Sequence, residues 1–88
     1  VWHSNSFVLF YLADSRRLVA FVASKKVGKA VKRNRARRVL KALFLEHIEH
    51  HRDGYYVLVA KVALLDREFS LLKKEYRRSL IKSGLFKK

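Results

Sequence analysis

The side chains with the most chemistry to offer in this sequence are cations. The run from Ser24 to Lys41, S-K-K-V-G-K-A-V-K-R-N-R-A-R-R-V-L-K, holds nine of the 21 Lys and Arg residues and no carboxylate. No acid occurs between Ser15 and Leu45, and Arg16 and Arg17 raise the basic count of that window to eleven. Guanidinium and ammonium groups arrayed with one sign are suited to holding phosphates. Groups that could break bonds are scarce. The seven carboxylates, Asp14, Glu46, Glu49, Asp53, Asp66, Glu68 and Glu75, are scattered along the chain. A Mg²⁺ site built by protein alone needs several clustered oxygens. Gly28-Lys29-Ala30 lacks the upstream Gly and the following Ser or Thr of a phosphate loop. With no Cys and no arguable Ser/His/Asp set, the chain offers no nucleophile of its own. His47, His50 and His51 have the i, i+3, i+4 spacing that can hold zinc. They also fall at a helix C-terminus, where the dipole favours imidazolium without any metal. The reading is therefore no catalytic residue and no metal ligand: any chemistry is carried by something else.

The cations need an element to aim them. Ser24 to Gly28 follows an apolar run and reads as a turn, with Gly28 free to take positive φ. From about Ala30 the residues are helix formers with apolar positions at helical spacing. At 100° per residue, Ala36, Val39, Leu40, Leu43 and His47 gather on one side, the side that packs. Asn34, Arg37, Arg38 and Lys41 gather on the other, flanked by Arg33 and Arg35. Like charges at i+3 and i+4 repel by a few tenths of a kcal/mol per pair. A face that only needed solvation would mix its signs, so a polyanion is the natural completion.

Composition sets the outer limits. Eighty-eight residues, half of them apolar, make one small domain rather than a disordered basic tail. The formal charge of +14 is extreme for that size. A Debye length of about 8 Å screens opposite sides only partly, so self-repulsion lowers the stability of the free protein until a polyanion relieves it. The lack of Cys fits a reducing cytoplasm. No apolar run approaches the roughly 20 residues of a membrane span, and no signal peptide is visible. The chain starts at Val1 without Met, which leaves room for a missing natural N-terminus.

Taken in order, Val1 to Ser6 suits a strand stub. Phe7 to Leu12 is aromatic and branched, and reads as a strand. Ala13 to Arg16 is a turn and Leu18 to Ala23 a second strand, so the two are expected to pair as an antiparallel hairpin. Their apolar runs are continuous, which predicts cover on both sheet faces, by a helix or by a ligand. The basic helix frays near His50, where Arg52-Asp53-Gly54 breaks it. Tyr55 to Val62 is the next strand. Asp66 is placed to cap a last helix whose stripe is Phe69, Leu72, Tyr76 and Leu80. Lys74, Arg78 and Lys82 form a second basic surface on that helix, and Gly84 ends it. The order β-β-α-β-α predicts an α+β fold, a two-layer α/β sandwich with a small central sheet and a basic helix. Alternation puts Phe7, Leu9 and Tyr11 on one sheet face and Val8, Phe10 and Leu12 on the other. One set packs under the helices, and the other can stack unpaired bases.

The stretch Ala23 to Arg35, with Arg37, Arg38 and Lys41 beyond it, closely resembles the signature of the bacterial ribonuclease P protein component, V-S-K-K-x-G-x-A-V-x-R-N-R. Phe7 to Tyr11, Gly54 to Ala60 and Phe69 to Gly84 are similar to that family's strands and last helix, so the likeness covers nearly the whole chain. The resemblance implies a ribonucleoprotein subunit with a ribosomal-protein-like sandwich and a left-handed βαβ crossover. In it an RNA subunit removes the 5′ leader of precursor tRNA by Mg²⁺-dependent hydrolysis, and the protein binds both the RNA subunit and the leader. Carried over, Arg33, Asn34, Arg35, Arg37, Arg38 and Lys41 meet phosphates of the RNA, with Ser24, Lys25, Lys26 and Lys29 along the same edge. Phe10 lines the leader cleft. Mg²⁺ enters through the RNA, and no cofactor is bound by the protein alone. No membrane and no obligate protein partner is expected, and the setting is cytoplasmic. The family's opening helix, with a Phe-x-x-x-Phe pair, has no counterpart here, and Ala20 and Val22 stand where Gly and Ser are usual. The alternative is a ribosomal or ribosome-associated protein of similar fold that binds folded RNA without assisting catalysis.

Overall fold

The computed structural model describes residues 1–87. The strands are β1 (Trp2–His3), β2 (Phe7–Leu12), β3 (Arg17–Ala23) and β4 (Gly54–Ala60), and the helices are α1 (Ala30–Glu46) and α2 (Phe69–Lys82). Short 3₁₀ turns at Lys25–Val27, Ile48–His50 and Val62–Asp66 punctuate the chain. The two-layer α+β arrangement read from the sequence is the one observed.

The predicted hairpin is not. The sheet order is β1-β2-β4-β3, so β4 lies between the two strands expected to pair. β4 runs antiparallel to β2 and parallel to β3, with Leu58 opposite Leu9 on one side and Phe21 on the other. The Ala13–Arg16 connection explains the difference. It has no glycine to supply the positive φ of a tight two-residue turn. Instead Asp14 Oδ1 accepts the Arg16 amide at 2.9 Å, opening a wider loop. The Arg16 carbonyl then accepts the Gly54 amide at 2.8 Å, seating the start of β4 in the gap.

Both helices pack on one face of this sheet. Phe7, Leu9, Tyr56 and Leu58 from the strands meet Ala36, Leu40, Leu43 and Phe44 of α1 and Leu72, Tyr76 and Leu80 of α2 in one buried cluster. Tyr76 tilts against Phe7 with ring centroids 5.7 Å apart. Burying aromatic and leucine side chains in this way contributes roughly 1.5–3 kcal/mol each. The α1 packing face is as the periodicity predicts, with Phe44 added to it and Val39 only half-buried.

Two details of α2 differ from expectation. Asp66 does not cap it, because Val62–Asp66 closes a 3₁₀ turn of its own and the helix starts from Glu68, whose carbonyl accepts the amides of Leu71 and Leu72. Phe69 is partly exposed at that first turn, while Ser79 is buried in the stripe. Gly84, at φ 78°, ends the helix as predicted.

Candidate nucleic-acid interface

β3 leads directly into the basic run. Ser24 precedes the 3₁₀ turn Lys25–Val27, in which Val27 is buried while Ser24, Lys25 and Lys26 stay exposed. Gly28 has φ 140°, and a Cβ there would come within 2.7 Å of the Lys32 side chain. Its carbonyl accepts Arg33 Nη1 at 3.1 Å, tying the turn to the first turn of α1. Lys29 occupies the N-cap position and makes no side-chain cap, and no acid sits in the first turn. The positive end of the helix dipole is therefore bare beside Lys25, Lys26, Lys29, Lys32 and Arg33, a setting that attracts anions.

Along α1, Asn34, Arg35, Arg37, Arg38 and Lys41 are all exposed, opposite buried Ala36, Leu40 and Leu43. Arg37 Nη1 donates to Asn34 Oδ1 at 2.9 Å, which fixes one guanidinium on the surface. The ion pairs among the described residues join Asp14 to Arg16, Asp53 to Arg17 and Glu46 to Lys73. No cation between Lys25 and Lys41 has a carboxylate partner among them. The face is assembled and electrically unanswered.

The second surface is the sheet face turned away from the helices. Register puts Val8 opposite Val59, Phe10 opposite Val57 and Leu12 opposite Tyr55, with Leu18, Ala20 and Val22 continuing the same rows on β3. Phe10 is 44% exposed and Leu12 69%. The continuous apolar runs thus leave one face uncovered among the described residues. Tyr11 points to the core side instead, donating to the Asp53 carbonyl at 2.6 Å and packing edge-on to Tyr56. Phe10 was the one position on this face named from sequence as a site. Ala20 and Val22 were noted there only as departures from the family pattern, and Tyr55, Val57 and Val59 were missed, because Tyr55 to Ala60 is apolar throughout and only the strand register shows which side chains share this face.

The sequence profile of the family described as Ribonuclease P matches residues 1–84. This chain belongs to the ribonuclease P protein family. It is 52% identical over 79 residues to the ribonuclease P protein component of Nitratiruptor sp., covering 90% of this chain and 72% of that relative. It is 40% identical over 68 residues to the component of Coprothermobacter proteolyticus, covering 77% of this chain and 57% of the other. Among solved structures, a Staphylococcus aureus RNase P protein mutant with defective mRNA degradation activity superposes with TM-score 0.83 at 22% identity, over 97% of this chain and 75% of that one. The Thermotoga maritima RNase P protein gives TM-score 0.73 at 16% identity, over 96% and 78%. At those identities the structural likeness shows the fold.

The three histidines that follow α1 are spoken for one by one. His47 Nδ1 lies 2.9 Å from the Leu43 carbonyl and His50 Nδ1 2.9 Å from the Lys87 carbonyl. His51 is fully buried, with Nε2 2.6 Å from the Tyr76 hydroxyl. Burial pushes the His51 imidazole down to about 4, against the imidazolium expected from the helix dipole. The same burial raises the Tyr76 phenol far above its ordinary range. Among the described residues no three His, Asp or Glu side chains converge on a point that could hold a metal, so the protein side chains do not fit a Mg²⁺ site. Among the described residues no helix is long and apolar enough to cross a membrane.

Proposed function

We propose that this chain is the protein subunit of a ribonuclease P ribonucleoprotein, active in tRNA 5′ maturation in the cytoplasm. In this reading Arg33, Asn34, Arg35, Arg37, Arg38 and Lys41 hold phosphates of the RNA subunit, with Ser24, Lys25, Lys26 and Lys29 extending the contact. The observation that carries it is a nine-cation run with no carboxylate partner among the described residues, in a chain of that family. The open sheet face supports the second role. Phe10, Tyr55 and their neighbours present aromatic and aliphatic area to a single strand, and β3 runs from that face straight into the basic turn. The 5′ leader of precursor tRNA is the single strand assigned to it. The hydrolysis and its Mg²⁺ are assigned to the RNA, since the sequence has no Cys and no arguable Ser/His/Asp set and no metal-holding group of carboxylates is found among the described residues. What this chain does is bind and orient.

The test is a pair of affinities. The complex of chain and RNA subunit should bind precursor tRNA carrying a leader more tightly than mature tRNA, and Phe10→Ala should narrow that gap. Equal affinity for both, unaffected by Phe10→Ala, would overturn the leader assignment. Failure of the chain to bind the RNA subunit at all would favour a ribosomal role.

A further inference from the structure

The α1 face leaves part of the positive charge unassigned. On α2, Lys74, Arg78 and Lys82 are exposed at i, i+4, i+8, one above the next with a rise of about 6 Å per step. Their neighbours are engaged: Lys73 pairs with Glu46 at 3.8 Å, and Arg77 lies over the Phe86 ring at 5.2 Å. The stripe itself has no carboxylate partner among the described residues.

Beside it runs a groove between α2 and the free edge of β1. One depression of about 250 Å³ is lined by Asn5, Arg67, Leu71, Lys74, Glu75 and Arg78. A second of about 190 Å³ shares Asn5, Glu75 and Arg78 with it and reaches Trp2 and His3. A third of about 240 Å³ continues from Trp2 to Ser83, the residue that follows Lys82 in the chain. Glu75 is the one carboxylate lining these depressions, and it accepts the Ser6 hydroxyl at 2.7 Å. Asp66 and Glu68 flank Arg67 at the far end, so the positive character concentrates from Lys74 onward.

We infer that this groove is a second binding site for single-stranded RNA, with Lys74, Arg78 and Lys82 on the phosphates and Trp2, on the helix side of β1 opposite Leu9, against the bases. Cations repeated along one wall with an aromatic on the other are what a sequence-tolerant single-strand site needs. An acidic peptide would share the charge complementarity, but it has no flat bases to lay against the Trp2 ring on the other wall. The site goes beyond the function proposed above. Because β1 and β3 are the two opposite edges of the sheet, it would let one protein engage a second RNA segment across the molecule from the Ser24–Lys29 turn.

Trp2 is the only tryptophan, so the site carries its own probe. In a chain with Arg37→Gln, Arg38→Gln and Lys41→Gln, which weakens the α1 face, a 12-nucleotide oligouridylate should still quench Trp2 fluorescence. Adding Lys74→Gln, Arg78→Gln and Lys82→Gln should weaken half-saturation at least tenfold and lower the slope of log K against log salt by about 2, with far-ultraviolet circular dichroism unchanged. Absent quenching, or quenching indifferent to the second set of substitutions, would overturn the inference. So would quenching by polyglutamate but not by the oligouridylate, which would assign the groove to an acidic protein. Loss of RNA-subunit binding through α1 alone leaves this readout untouched, so the two proposals fail separately.

Discussion

The Tyr76 hydroxyl and His51 Nε2, 2.6 Å apart in the core, join the segment that leaves α1 to the middle of α2. Among the described residues His51 Nδ1 has no hydrogen-bond partner, and the ring lies tilted against Phe44 with centroids 4.1 Å apart. The imidazole is held neutral at the junction of both helices, and stability therefore depends on pH. The folded-state value of about 4 lies below the unfolded value of 6.5, so the unfolded chain takes up a proton that the folded chain refuses. The contribution is intact above pH 6.5 and is lost as pH falls toward 4, by about 3 kcal/mol in all. Urea midpoints measured across that window should fall with pH, and His51→Gln should flatten the fall. A midpoint that stays level from pH 7 to 4.5 would contradict the buried neutral imidazole.

That histidine also shows where sequence reading stops. Its position after a helix argued for a charged ring, because the helix dipole is a local effect. Burial by Tyr76, 25 residues later, is not local. The same distinction separates what was legible elsewhere. The start of α1 at Ala30, its two faces and the positive φ of Gly28 follow from neighbours within one or two turns. The partner of β2 does not, since β4 enters the sheet more than 40 residues after β2 ends. The outward set of Val8, Phe10 and Leu12 was readable from alternation, yet only the pairing register shows that Tyr55 and Val57 complete its surface.

Gly54 is the hinge of that register. It has φ 150°, and a Cβ there would collide with Tyr11 Cε1, whose ring is pinned by the bond to the Asp53 carbonyl. Gly54→Ala should destabilise the fold by about 1–3 kcal/mol, read as a lower urea midpoint. Tyr11→Phe/Gly54→Ala should recover only part of the loss, because the backbone strain remains. A stable single variant would mean that β4 starts differently.

Phe10 and Leu58 occupy adjacent strands on opposite faces, and their alanine variants should part company. Leu58→Ala removes a fully buried side chain and should cost about 2–5 kcal/mol of stability. Phe10→Ala should leave the unfolding midpoint within about 0.5 kcal/mol while weakening leader binding by about 1–3 kcal/mol, the value of one stacked base. A stability loss at Phe10 comparable to that at Leu58 would show that the open face is covered.

Affinity for the RNA subunit should be steeply salt-dependent. With six to ten phosphates neutralised, the association constant should fall about 10³–10⁵-fold between 50 and 200 mM salt. A shallow response in filter binding would count against α1 as the contact surface.

The most direct measurement is single-turnover cleavage of precursor tRNA by a bacterial ribonuclease P RNA at Mg²⁺ too low for the RNA alone. Adding this chain should restore cleavage at the mature 5′ end. Arg37→Glu, Arg38→Glu and Lys41→Glu together should abolish the rescue while leaving the circular dichroism of the fold in place. Cleavage by the chain without RNA, or undiminished rescue by the charge-reversed variant, would contradict the account.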